Sequence, residues 1–370
     1  METLAATDPR RIGPYRLLAV LGHGGMGRVF LGSEPNGRLA AVKLVRAALA
    51  DDARHRGRFR REVATARRAP GVRTAAVIDA DLDADLDAPL PWLASVYIPG
   101  PSLRQVVAPG ADDHAGRADA DATTVDVAAR PLPEDAVLRL AAGLVGALDE
   151  IHGTGLVHRD LKPDNILLTD EADATGEPSG DGGVRVVDFG IALGTDDAPG
   201  STRLTRTGWV VGSPAYMSPE QVEGTALTPA SDIFSLGSVL VMACTGSSPF
   251  QGTSLQQVLS RVLHADPDLS ALPESVRRIA GACLAKDPAR RPGLERLRQV
   301  LDDNGSAGPW PSHVTDLVRD QRAEVTRLVG PTGEGTTAGK RKDGTILYPY
   351  VYAATKRGSH ACGPQNHAER

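Results

Sequence analysis

LGHGGMGRVFLGSEPNGRLAAVKLV, residues 21 to 45, carries four glycines in its first seven positions: Gly22, Gly24, Gly25 and Gly27. Glycine loses the most conformational freedom on folding, so such a cluster needs a reason. The spacing Gly22-x-Gly24-x-x-Gly27 satisfies the dinucleotide fingerprint. That reading needs a helix to open at the glycines and an acidic residue about twenty positions on. Here the glycines lead into RVFLG, a turn at EPNG and then LAAVKLV, which is strand, turn, strand. A helical pattern arrives only near residue 53, so a nicotinamide-dependent dehydrogenase fails on local context. The second reading is a glycine loop folded over ATP phosphates between two antiparallel strands. It asks for a valine two residues after the last glycine and a lysine in a following strand, and Val29 and Lys43 are both present. A hairpin with glycines for turn geometry only is the third reading, and this stretch alone does not remove it.

Outward from the glycines, YRLLAVLG, GRVFLG and GRLAAVKLV read as two or three antiparallel strands. Residues 53–69 read as a helix closed by Pro70-Gly71, and VRTAAVIDAD and PWLASVYI as two further strands. Residues 109–131, rich in alanine and aspartate, read as an inserted surface loop. Residues 134–153 form a helix pattern with Val137, Leu140, Ala141, Leu144, Leu148 and Ile151 on one face. A second polar loop spans about 170–183, before a short strand at VRVVDFG. From 227 to 300 the pattern is helical, broken at Pro249, Pro267, Pro273 and Pro288. Residues 1–11 read as a flexible N-terminus and 301–370 as a weakly structured tail, largely disordered from 331.

The chain has 370 residues, 41% of them hydrophobic and 24% charged, which suits a packed soluble core. A net charge of -5 argues weakly against nucleic acid as a partner. The three cysteines, Cys244, Cys283 and Cys362, are too far apart for a thiolate zinc site or a disulfide framework. METLAATDPRR lacks an apolar signal core, and no apolar run is long enough to span a membrane. The expectation is a cytoplasmic protein without a transmembrane segment.

Residues 158–165 read HRDLKPDN and residues 188–190 read DFG. With the glycine loop and Lys43 in this order, the chain resembles eukaryotic-type Ser/Thr protein kinases of the bacterial branch, over roughly residues 15–300. The resemblance implies an α+β, bilobal fold. A small antiparallel-sheet N-lobe with one main helix (12–97) would sit on a larger, mainly helical C-lobe (101–300). It implies ATP with Mg²⁺, or Mn²⁺ in its place, and protein substrates. Leu21 to Gly27, including His23, Gly25 and Met26, would cover the phosphates together with Val29. Lys43 would meet the α- and β-phosphates, held by Glu62 of the first helix. Asp160 would orient the substrate hydroxyl and take its proton, and Lys162 would stabilise the transferring phosphoryl group. Asn165 and Asp188 would hold the metal, while Asp164 would cap the loop and His158 would be structural. Ser95 falls at the gatekeeper position, with Val96 and Ile98 following in the hinge and Ala41 and Leu21 covering the base.

The same resemblance pairs Glu220 of Ser218-Pro219-Glu220 with Arg291, and makes Asp232 a brace beneath the catalytic loop. Arg159 marks kinases that respond to activation-segment phosphate. Thr205 and Thr207 match the threonines that bacterial relatives autophosphorylate, and Ser213 keeps the hydroxyl of a threonine that touches Asp160 and Lys162. Regulation by an N-lobe homodimer is also implied. A nucleotide-binding pseudokinase and a small-molecule kinase are the competing readings. The intact Lys43, Glu62, Asp160, Lys162, Asn165 and Asp188 argue against the first, and the SPE-to-Arg291 lobe argues against the second.

Overall fold

A computed structural model describes residues 1–24, 27–45, 63, 67, 73–81, 90–109, 128–169, 183–188, 213–303 and 308–330. The N-lobe is a six-stranded sheet of β1 (Arg11–Ile12), β2 (Tyr15–Gly24), β3 (Gly27–Ser33), β4 (Leu39–Val45), β5 (Val77–Asp81) and β6 (Trp92–Val96). All neighbours are antiparallel, in the order β1-β2-β3-β4-β6-β5. The glycine stretch is therefore the end of a hairpin, with Gly24 opposite Gly27 and Gly22 opposite Val29. Side chains alternate across a sheet. One face buries Phe30, Val42 and Ala94 with Tyr15 and Trp92. The other carries the paired rows Val29–Lys43–Leu93 and Leu31–Ala41–Ser95. Lys43, Ala41 and Ser95 thus share a face because of the register.

Of the helix expected over 53–69, Val63 and Arg67 are described, and Arg67 N donates to the Val63 carbonyl at 3.0 Å, one helical turn. Val63 packs on Leu93, the cross-strand partner of Lys43. Glu62 lies outside the described residues, as do Gly25 and Met26.

The C-lobe contains α1 (Leu103–Val107), α2 (Glu134–Gly153), the β7–β8 hairpin (Ile166–Leu168 and Val184–Val186) and α3 (Pro219–Glu223). It continues through α4 (Pro229–Thr245), α5 (Leu255–His264), α6 (Glu274–Cys283), α7 (Leu294–Asp303) and α8 (Ser312–Val329). The apolar face expected for α2 is the buried one. Helix α4 buries nearly every side chain from Ser231 to Ala243 and so forms the lobe's centre. Among the described residues, no helix is long and apolar enough to cross a membrane.

Three expectations are corrected. Residues 73 and 74 do not extend β5: Thr74 bridges Val186 in parallel, and Val186 N donates to the Arg73 carbonyl at 2.9 Å. Arg73 also binds Glu150 of α2 at 2.7 Å, so this segment fastens the N-lobe to the C-lobe. Residues 1–11 are built onto the sheet edge. Glu2 pairs its backbone with Val20, and buried Asp8 accepts from Ala5 N at 2.8 Å and from Arg28 of β3. Pairing an exposed strand edge satisfies its backbone groups. Residues 301–330 carry the end of α7 and all of α8, with Val314, Val318 and Val325 buried.

The lobes join at Tyr97–Gly100, and Gly100 is there for lack of room. A β-carbon on it would fall on the Leu168 carbonyl oxygen of β7, whose own amide bonds Pro101 O at 2.9 Å. Gly100→Ala must push the hinge off β7. The expected loss is about 1–3 kcal/mol in denaturant unfolding, as for other overpacked sites; a wild-type midpoint would show that the hinge gives way freely.

Candidate active site

The catalytic-loop sequence HRDLKPDN is held from below by one carboxylate. Asp232, buried on the first turn of α4, accepts from His158 N at 2.8 Å and from Arg159 N at 2.9 Å. His152 Nε2 reaches the same carboxylate at 2.8 Å. Arg159 takes a positive φ of 70°, unusual for a residue with a side chain. Asp232 secures its amide, and Gln221 Nε2 secures its carbonyl at 2.6 Å. Such strain persists only where the surroundings over-determine it. His158 is fully buried. Asp160 N donates to its Nδ1 at 3.3 Å, so Nε2 carries the proton and donates to Val187 O, also at 3.3 Å. His158 therefore ties the loop to the strand that delivers Asp188.

Above this base the polar groups gather. Lys162, extended at φ -150° and ψ 164°, brings its Nζ to 3.0 Å from Asp160 Oδ2. Asn165 Nδ2 donates to Asp160 O at 2.8 Å and to Asp160 Oδ2 at 3.1 Å. Both partners are acceptors, which fixes the amide orientation and leaves the Asn165 carbonyl oxygen facing elsewhere. Asp188, at φ 60°, receives the Lys43 ammonium on both carboxylate oxygens, at 2.6 and 2.7 Å. This pair joins β4 of one lobe to the end of β8 in the other across 145 residues. Asp164 does not cap the loop; Arg104 of α1 binds both its oxygens at 2.8 and 2.9 Å.

Burial raises the Asp160 carboxyl above its ordinary range, with Lys162 opposing that rise. Burial opposes ionisation of Asp188 too, but Lys43 outweighs it and holds the carboxyl below its usual range. Burial works against the Lys162 ammonium, and Asp160 overcomes it, so its pKa is raised. Two carboxyls in one cleft are thus pushed apart, the pattern that separates a proton acceptor from a permanent anion.

The Glu220–Arg291 pair expected from the sequence is present and buried, at 2.6 and 2.9 Å. Ser213 is buried ahead of the turn at Pro214–Tyr216. Ser95, Val96 and Ile98 lie at the end of β6 and in the hinge, and Leu21 on β2 beside the glycines. Thr205 and Thr207 lie outside the described residues. No local motif marks Gln221, Arg104 or His152 as supports of the loop.

The family described as protein kinase domain matches residues 15–302. The chain belongs to the protein kinase family. The kinase chain is 41% identical over 355 residues to the serine/threonine-protein kinase AfsK of Streptomyces coelicolor, covering 93% of this chain and 39% of that protein. It is 42% identical over 334 residues to AfsK of Streptomyces griseus, covering 87% and 37%. These relatives place it in the actinobacterial, eukaryotic-type Ser/Thr branch, and the chain spans about two fifths of their length. The crystal structure of the Mycobacterium tuberculosis PknI kinase domain aligns with a TM-score of 0.55 at 26% identity. The alignment covers 82% of this kinase and all of that domain.

Proposed function

We propose that this kinase transfers the γ-phosphoryl group of ATP to serine and threonine hydroxyls of proteins, including its own activation segment. The observation that carries this reading is the convergence of two contacting groups from both lobes, Lys43 with Asp188 and Asp160 with Lys162 and Asn165, close enough for their charges to act on one another. Phosphoryl transfer asks chiefly for positioning and charge neutralisation.

In this reading Gly22, Gly24 and Gly27 let backbone N–H groups approach the phosphates, and Lys43 supplies a fixed cation for them. Asp188 and the Asn165 carbonyl oxygen are the hard donors suited to Mg²⁺, which takes few protein ligands and completes its shell with phosphate and water. Bound there, Mg²⁺ would neutralise the charge of the β- and γ-phosphates. The amide orientation of Asn165 fits that role, since its nitrogen is spent on Asp160. Asp160 accepts the hydroxyl proton as the hydroxyl oxygen bonds to the γ-phosphorus. The bond from that phosphorus to the β–γ bridging oxygen breaks, and ADP leaves. Lys162, 3.0 Å from Asp160, faces the transferring group.

A pH test follows from the Asp160–Lys162 pair. Lys162 opposes the upward shift of Asp160. Lys162→Met removes that opposition, the Asp160 carboxyl titrates higher, and the base is protonated at a pH where it was ionised before. The acid limb of kcat/KM should move to higher pH, alongside a lower rate. An unmoved acid limb would count against Asp160 as the base.

Arg159 supports regulation by phosphate. Among the described residues its side chain has no partner, and its Nε is buried and unpaired. A phosphate on Thr207, or on Thr205, gives that guanidinium a charge-assisted acceptor and orders the segment. Phosphosite mapping of purified protein beside Asp160→Asn tests both parts. Phosphate on Thr205 or Thr207 in the wild type alone is expected; equal labelling in the variant would mean another enzyme placed it.

A further inference from the structure

Helix α8 lies beyond residue 302, where the kinase-family match ends. Val314, Val318, Gln321, Val325 and Leu328 recur on it at helical spacing and form one stripe. Its lower end belongs to the C-lobe. Trp310 and Val314 lie in that lobe's core, the Arg139 guanidinium stacks over Trp310 at 4.8 Å, and Arg139 donates to Gly308 O at 3.0 Å. Its upper end belongs to the N-lobe. Val325 completes a buried cluster with Ala19, Leu31 and Leu39, against which Leu18, Leu21, Leu328 and the hinge residue Tyr97 pack. One helix is therefore fastened on both sides of the hinge.

The sheet register says what that upper end touches. Leu31 pairs with Ala41, which pairs with Ser95, and Leu39 precedes Ala41 by two residues on the same face of β4. Val325 thus rests on the face that carries Ala41 and Lys43. Strand β2 has register shifts between Leu17 and Ala19 and between Val20 and Gly22, so Leu18 and Leu21 are the extra residues of two bulges. A bulge re-aims its side chain. Here both leucines turn into the cluster under α8 instead of alternating across the sheet. Gly22, the first glycine of the phosphate loop, follows directly.

We propose that α8 is a strap that positions the adenine side of the nucleotide site. Val325 and Leu328 are positioning residues for Leu21, Ala41 and the hinge. This rests on the ATP-binding reading above. The seam also contains buried polar atoms without a partner: Trp310 Nε1, His313 Nε2 and Gln321 Oε1. Each carries a desolvation cost, which lowers the net stability of docking.

The test replaces the upper contacts in the full chain, Val325→Asp with Leu328→Asp, and measures affinity for a fluorescent ATP analogue with Mg²⁺. If the bound geometry becomes a minority conformation, the apparent Kd and the KM for ATP rise about tenfold, while kcat at saturating ATP stays within roughly twofold. Amide exchange should rise in β2 and the hinge and stay unchanged in α4 and α6. Should the aspartate pair unfold the C-lobe, Val325→Ala with Leu328→Ala decides, with a rise of about threefold in the same direction. Released α8 with unchanged nucleotide Kd, or a lower Tm with no change in Kd, would overturn the proposal. If the wild type transfers no phosphate, the proposed reaction fails, and the nucleotide Kd still decides the strap.

Discussion

Asp160→Asn should lower the phosphotransfer rate by roughly 10²- to 10⁴-fold, the usual contribution of a positioned base, and leave nucleotide affinity close to wild type. The amide has the size of the carboxyl and can still present an oxygen to Lys162 Nζ and Asn165 Nδ2, the two partners at 3.0 and 3.1 Å. It has no lone pair basic enough to take the hydroxyl proton. The loop geometry should survive, because Asp232, His158 and Gln221 hold the backbone. Single-turnover transfer from Mg²⁺-ATP to a Ser/Thr peptide, with nucleotide Kd measured in parallel, separates the two effects. An inactive wild type, or a variant of equal rate, would sink the kinase reading in favour of a nucleotide-binding scaffold.

Arg291→Leu should cost about 3–5 kcal/mol, the range for breaking a buried ion pair by removing one partner. The Arg291 guanidinium uses all its N–H groups: two on Glu220, and one each on Ala230 O at 2.8 Å, Ala285 O at 2.8 Å and Lys286 O at 3.0 Å. It also lies 5.0 Å from the Phe234 ring centre. Removing it strands the Glu220 carboxylate in the core with Ser231 as its remaining side-chain donor, at 2.7 Å. For a domain of this size the loss corresponds to a Tm lower by roughly 10 °C. Arg291→Lys should recover little, because a point-charge ammonium cannot reach three carbonyls and a carboxylate at once. Calorimetry of the full chain checks this, and a Tm within about 2 °C of wild type would remove the pair from the stability argument.

Much of the N-lobe was legible because its signals are local. The alternation in YRLLAVLG and LAAVKLV, and the turn residues between them, determine antiparallel strands without reference to the rest of the chain. That sufficed to reject the dinucleotide reading. Helix α2 was legible from its apolar period and α4 from its proline-bounded run. Helix α8 was not. Its stripe is mostly valines, which are modest helix formers, with Gln321 in the middle, and the rest of its surface is mainly polar and charged. Its helicity comes from docking, and nothing near it in sequence announces the strands it docks on.

The candidate site divides along the same line. The sequence alone determined which chemical groups are present: the phosphate-loop glycines, Lys43, Asp160, Lys162, Asn165 and Asp188, in an order that specifies the fold. Only the tertiary structure decided what holds them. It set Lys43 on Asp188 across the lobes, gathered His152, His158 and Arg159 on Asp232, drew Asp164 to Arg104, and laid α8 over the hinge. The physical reason is range. A motif is written by neighbours along the chain, whereas a buried carboxylate takes whichever donors the packing brings within about 3 Å. For Asp232 those donors stand 73 to 80 residues away.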